Sequence, residues 1–324
     1  MKKIVGLAAA GLLAVSTASF AGNLGTANQD ITFFGGISAA WNSDSADFSL
    51  STVALGFTKA ATEESPVGFT LAIANFQIPL VFVDQGPFDS SSGKYTKTLA
   101  NPFGTGYDVY LGYFSLMAVP GVTLDAGLLW QKFGNAPVTI LNPHITRPVA
   151  FAAQPILFAG ARLNFDIGDF KAYLGVNDGS ALGGTHGGGS ADNGYEAGII
   201  GNVGVAKVGL HYFKNDDSSS VINLSADGDL GGVAVGLEIN KISDIPGSTD
   251  DLTTFALKAN IDLGAIKLPV RLEKASDLID VTTLTLTPTW NPTANSFVRA
   301  DLIWRTGDDK EDSSNLIAEF GYLF

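Results

Sequence analysis

The sequence predicts an all-β chain: a transmembrane antiparallel up-and-down β-barrel of about sixteen strands, short turns at one rim and longer loops at the other. Three observations carry this. Segments of about ten residues alternate polar with apolar side chains. The connectors between them alternate tight with long. And beyond Phe20 no run is apolar enough for a membrane-spanning helix, although mean hydropathy is +0.23 and 46% of residues are hydrophobic. A soluble domain this apolar is unusual. A closed barrel accommodates it, because alternation keeps the average near neutral while every backbone group pairs within the wall.

The alternation is clearest from Ala265 to Ser276, where Ile266, Leu268, Val270 and Leu272 alternate with Lys267, Pro269, Arg271 and Glu273. Phe255, Leu257, Ala259 and Ile261 are set in the same way against Lys258, Asn260 and Asp262, and Val298, Ala300, Leu302 and Trp304 against Arg299, Asp301 and Arg305. One face suits lipid and the other water. Sixteen such segments begin near residues 31, 47, 67, 106, 121, 155, 168, 194, 205, 219, 231, 252, 265, 280, 295 and 315. A soluble β-sandwich alternates too, so the connectors decide. Val119-Pro120-Gly121, Asp166 to Asp169, Asn202 to Gly204, Asp229 to Gly231, Asp262 to Gly264 and Asn291 to Thr293 are tight; 133–154, 178–193, Lys241 to Asp251 and Thr306 to Ser314 are long, Lys214 to Ser219 is longer than the tight ones, and Lys274 to Leu278 is intermediate. Tight turns on the periplasmic side and longer outer loops mark outer-membrane barrels.

Aromatic side chains fit two interfacial girdles. Trp130, Tyr212 and Trp304 end upward strands on lipid-facing positions, Tyr107 and Tyr195 begin downward ones, and Tyr113, Trp290, Tyr322 and Phe324 are placed at the periplasmic ends.

Residues 1–21 read as a signal peptide: Lys2 and Lys3, an apolar core from Ile4 to Val15, and a small-residue site at Ser19-Phe20-Ala21, so that the barrel occupies 22–324. The core is too short for a spanning anchor. The chain has no cysteine, which excludes disulfides and thiolate metal sites. Its formal charge is −13; without Lys2 and Lys3 the balance is 17 basic against 32 acidic residues, or −15, which argues against nucleic acid as a partner.

The last segment, Asn315 to Phe324, places Leu316, Ala318, Phe320, Tyr322 and Phe324 on one face and resembles the C-terminal signal of Gram-negative outer-membrane proteins. That resemblance implies recognition of Phe320, Tyr322 and Phe324 by the barrel-assembly machinery, and insertion among outer-membrane lipid and lipopolysaccharide. A narrower resemblance, to the OmpL-like β-barrel porin family, rests on Asn142-Pro143-His144-Ile145-Thr146-Arg147-Pro148, Ala153-Gln154-Pro155 and Gly160-Ala161-Arg162-Leu163. It rests also on Tyr173-Leu174-Gly175-Val176-Asn177-Asp178-Gly179, which departs from the family pattern in the intervening Asp178 and in lacking a following Trp. The resemblance implies a water-filled channel for passive diffusion of small hydrophilic solutes or ions, often trimeric, needing no cofactor. The motifs cover residues 142–179 alone.

By connector count, the 133–154 segment is the third outer loop. In the porins this layout resembles, that loop enters the lumen, which would place His144 and Arg147 at a constriction faced by Asp125, Gln131, Arg162 and Lys171. Other charges assigned inward are mixed: Lys207, Lys258, Lys267, Arg271, Arg299 and Arg305 against Asp108, Glu196, Glu238, Asp262, Glu273, Asp301 and Glu319. The facing follows from cost, since Arg or Lys on the lipid side costs about 2–4 kcal/mol at the midplane.

The outer loops are acidic at Asp216-Asp217, Asp250-Asp251 and Asp308-Asp309 with Glu311 and Asp312, a pattern that keeps loops soluble and that, read functionally, would concentrate cations at the mouth or bind divalent ions shared with lipopolysaccharide; it forms no calcium loop. Gly184 to Gly189 superficially resembles an oxyanion loop, but no Gly-x-Ser-x-Gly elbow accompanies it, and three histidines, His144, His186 and His211, assemble neither a metal site nor a triad. Two other readings stand beside the pore: a structural or adhesive barrel plugged by 78–105 or 133–154, and a barrel enzyme such as a phospholipase.

Overall fold

In a computed structural model of the chain, the residues described are 22–23, 31–43, 47–76, 88–89, 94–95, 108–133, 142–148, 157–177, 193–215, 220–244, 249–277, 280–307 and 310–324. The expectations for the signal segment, for 78–105 as a plug, for Tyr107 and His186, and for Gly184 to Gly189, Asp216-Asp217 and Asp308-Asp309 fall outside them.

Alternating sequence becomes a single closed sheet. Its strands are β1 (Thr32–Asn42), β2 (Asp47–Lys59), β3 (Val67–Phe76), β4 (Asp108–Val119), β5 (Val122–Trp130), β6 (Leu157–Ile167), β7 (Phe170–Asn177) and β8 (Gly194–Val203). There follow β9 (Ala206–Asn215), β10 (Ser220–Leu230), β11 (Val233–Ser243), β12 (Leu252–Asp262), β13 (Ile266–Asp277), β14 (Val281–Leu286 with Thr289–Thr293), β15 (Ser296–Gly307) and β16 (Lys310–Leu323). Each strand pairs antiparallel with the next, and β1 closes on β16 through Gly36↔Leu323 to Asn42↔Ile317, giving a sixteen-strand barrel. Closure removes both sheet edges, which lipid would not tolerate.

The turns follow from local chemistry. Pro120-Gly121 links β4 to β5 with Gly121 at φ 80°, as a turn with Pro first and Gly second requires, and Gly231-Gly232 links β10 to β11 with φ of 66° and 91°. β14 is interrupted at Thr287-Pro288 because proline has no N–H to give the ladder; Thr287 N still bonds Pro269 O at 2.9 Å, so the wall continues across the gap.

Burial is inverted relative to a soluble protein. Phe114, Leu174, Leu257, Leu272, Trp304 and Phe320 are exposed, while Asp125, Arg162, Glu196, Glu238, Arg271, Glu273, Asp301 and Glu319 are buried. The apolar belt is therefore outside and the charge inside, the arrangement a lipid-embedded barrel wall needs. On β9 to β12, near the loop rim, an inward apolar row Phe213–Val221–Ile242–Leu252 runs from strand to strand in register. Phe158 and Phe133 pack on Phe213, with ring centroids 5.9 and 6.3 Å away.

Three expectations need correction. Tyr113 is buried and faces inward opposite Thr70, and it is Phe114 that faces out, because β4 is apolar on both faces there and alternation alone leaves its parity open. The last strand starts at Lys310 and not near Asn315, since Ser313 and Ser314 still pair with Arg305 and Trp304. The 306–314 connector is consequently not long: Gly307 pairs with Lys310.

Candidate functional site

The connection from β5 to β6 places residues 142–148 inside the barrel, where Asn142, His144, Ile145, Thr146, Arg147 and Pro148 are all buried. They rest on β13 to β15. In a ring of sixteen strands, β13 and β14 lie eight places from β5 and β6, so the segment reaches the opposite wall. The nine steps from Phe133 to Asn142 can extend about 30 Å, enough for such a crossing.

Asp301 on β15 is the anchor. Its Oδ1 accepts Ile145 N–H at 3.2 Å and its Oδ2 accepts Thr146 N–H at 2.8 Å and Thr146 Oγ1–H at 2.7 Å. Thr287 donates its hydroxyl to Asp301 Oδ1 at 2.7 Å. That proton is then spent, so His144 Nδ1, 2.6 Å from Thr287 Oγ1, is the donor to it. From β13, Arg271 donates to Thr146 O at 2.9 Å and Thr146 Oγ1 at 3.0 Å while holding Glu273 at 2.7 Å. Arg299 donates to Asn142 O and pairs with Glu319 at 2.5 Å. Burial, then the charges of Arg271, Lys258, Arg299 and Arg147, hold His144 well below the ordinary histidine range. The ring is neutral.

Glu319 carries this network to the seam. Ser51 on β2 donates to it at 2.5 Å, and Ser38 on β1 lies 2.5 Å from Ser51, so the strands where the chain closes share one polar cluster.

The opposite wall is built mainly from pairs among its own side chains. Arg162 on β6 holds Glu196 on β8 at 2.6 and 2.9 Å and donates to Trp130 O at 2.8 Å. Asp125 on β5 accepts the Ser115 hydroxyl at Oδ1, 2.6 Å away, and Asn164 Nδ2–H at Oδ2, 2.8 Å away. Tyr173 OH lies 2.8 Å from His211 Nδ1. Room for these groups comes from glycine: a Cβ on Gly175 would fall 2.4 Å from Glu196 Oε1, and one on Gly198 would fall 2.5 Å from the Tyr173 ring.

Of the residues assigned to the constriction, the fold brings His144 and Arg147 into the lumen on one side and sets Asp125, Gln131 and Arg162 inward and buried on the other. Lys171 does not join them. It is one residue past the start of β7, at the turn rim, and pairs with Asp166 at 2.7 Å with 43% of its side chain exposed. Two participants were missed by the sequence reading: Asp301 as the loop's anchor, and Lys132, which donates to Asn164 Oδ1 and sits 5.0 Å over the Tyr173 ring. Among the described residues no group of His, Asp and Glu could hold a metal ion.

This geometry resembles that of solved porin barrels. The anion-selective porin from Comamonas acidovorans matches 91% of this chain with 99% of its own at 13% identity and TM-score 0.63. OmpT, an outer membrane protein of Vibrio cholerae, matches 92% with 99% of its own at 10% identity and TM-score 0.58, and a mutant Rh. blastica porin 91% with all of its own at 12% identity and TM-score 0.54. At these identities the likeness is one of fold: a closed sixteen-strand antiparallel barrel of the Gram-negative outer-membrane porin type. No protein-family model matches the chain, and no curated protein does.

Proposed function

We propose that the protein is an outer-membrane diffusion porin, a water-filled channel for small hydrophilic solutes or ions narrowed by its third outer loop. The observation that carries this is the inversion of the wall, apolar outside and charged inside, on sixteen strands. About eight strands are filled by side chains, whereas sixteen leave an aqueous passage. His144 and Arg147 on the docked loop, against Asp125, Gln131 and Arg162 across the lumen, set the constriction in this reading. Residues 1–21 direct export, Phe320, Tyr322 and Phe324 present the assembly signal, and lipopolysaccharide surrounds the mouth. The OmpL-like motifs and a homotrimeric state belong to the same reading.

A plugged structural barrel is the second reading. It is favoured by one observation: inward side chains such as Ser38, Thr70, Asp125, Glu196, Asn240, Glu273 and Asp301 are buried around the whole ring. Planar-bilayer recording on the refolded protein separates the two. Stepwise currents with a finite reversal potential in a salt gradient are expected; a folded, inserted barrel without current would establish the plug.

A further inference from the structure

Most inward cations with resolved partners face a carboxylate: Arg162 meets Glu196 at 2.6 Å, Lys258 meets Glu238 at 2.9 Å, Arg271 meets Glu273 at 2.7 Å and Arg299 meets Glu319 at 2.5 Å. Such pairs present little net charge to a passing ion. Lys132 differs. Its ammonium contacts the neutral Asn164 Oδ1 and the face of Tyr173, and no carboxylate among the described residues lies within salt-bridge distance of it.

The arrangement is polar along its length. Asp125, 1% exposed, is set back against the wall and accepts Asn164 Nδ2–H at 2.8 Å; Asn164 Oδ1 in turn accepts from Lys132, which is half-buried. Asn164 is further fixed by donating to Thr123 O at 3.2 Å. The carboxylate end is fully buried, and the ammonium end is half-buried on the inner side of the wall. Lys132 stands just past β5, on the wall opposite the strands that hold the loop, so the passage between loop and wall runs beside it.

We propose that Lys132 is the specificity-determining charge of this pore, held by Asn164 so as to favour anionic solutes, and that this preference is lost as pH rises. The inference rests on the diffusion-pore reading above. An ammonium focused by low-dielectric walls acts on solutes far more than one in open water. The charged and titratable groups around it are Arg162 from β6, Asp125 from β5, Glu196 from β8, Lys171 and Tyr173 from β7, and His211 from β9. Burial first, then the Arg162 guanidinium, pushes Lys132 down to about 7, and Asp125 and Glu196 oppose that shift. The ammonium is therefore present in mildly acidic solution and gone in alkaline solution.

The test is the anion-to-cation permeability ratio from reversal potentials in a potassium chloride gradient, at about pH 5.5 and about pH 9. The wild-type ratio is expected to exceed one in acid and to fall about twofold or more in alkali. K132Q should show the low ratio at both. K132R, which stays charged throughout, should keep the high ratio at both and so guards against a mere loss of fold. A K132Q ratio equal to wild type in acid, or a K132R pore that titrates like wild type, overturns the assignment of Lys132 while leaving the pore reading intact. A wild-type barrel without current overturns both.

Discussion

The two facing walls of the lumen solve the problem of buried charge differently. On β13 to β16 the carboxylate of Asp301 is committed to two main-chain amides and the Thr146 hydroxyl of the loop, besides the Thr287 hydroxyl of the wall, and Arg271 and Arg299 divide themselves between a wall carboxylate and a loop carbonyl. On β5 to β9 the partners are side chains of the wall itself, Arg162 with Glu196 and Tyr173 with His211. Backbone groups cannot change partner without moving the chain, so the first wall is a dock. The second wall pairs within its own strands, so it is a lining. Charge count alone would rate the two walls alike; what separates them is whether the acceptor belongs to the loop.

Breaking the dock should have the largest effect. Asp301→Ala removes the acceptor for two amides and two hydroxyls at a site with no exposure. Groups buried without partners cost about 1–3 kcal/mol each, and relaxation of the loop recovers part of this, so a loss of roughly 4 kcal/mol in unfolding free energy is expected. Denaturant unfolding in liposomes measures it. Limited proteolysis should find new cleavage within 133–154, and single-channel conductance should rise. Unchanged proteolysis and conductance would show that Asp301 does not hold the loop.

The lining should be costly to break but local in effect. Arg162→Ala leaves the Glu196 carboxylate buried and unpaired, which costs about 3 kcal/mol. Adding Glu196→Gln should recover much of that, because the stranded charge is the penalty. In contrast to Asp301→Ala, the loop should stay protected from protease. Exposure of the loop in Arg162→Ala would mean that the two walls are coupled and the contrast between them false.

Much of this architecture was legible in the sequence because a strand wet on one side and greasy on the other writes its facing into every second residue. The facing of Arg271, Glu273, Asp301 and Trp304 followed from that rule. What escaped has physical causes. Tyr113 lies where Leu111, Tyr113 and Phe114 make both faces apolar, so period two carries no information. Lys132 shares the outward parity of Trp130, but β5 ends at Trp130, the ladder no longer dictates direction, and the chain turns inward. Asp301 meets the loop across 155 residues of sequence, a pairing set by which wall happens to lie opposite and by nothing local.

The smallest and sharpest expected effect concerns the pH dependence of the dock. His144 donates from Nδ1 to Thr287 and is surrounded by Arg271, Lys258, Arg299 and Arg147, so its folded-state pKa lies far below the value near 6.5 it takes when unfolded. The unfolded or undocked chain therefore binds the proton that the docked chain refuses. Docking strength is fully present above about pH 6.5 and declines as pH falls below it, by about 1 kcal/mol near pH 5.5. Protease sensitivity of the 133–154 loop should accordingly increase on acidification, and His144→Gln, which cannot take up a proton, should abolish that increase while leaving Asp301 in place. If the variant loosens with acid as wild type does, groups other than this histidine set the pH response, and the histidine contributes a hydrogen bond only.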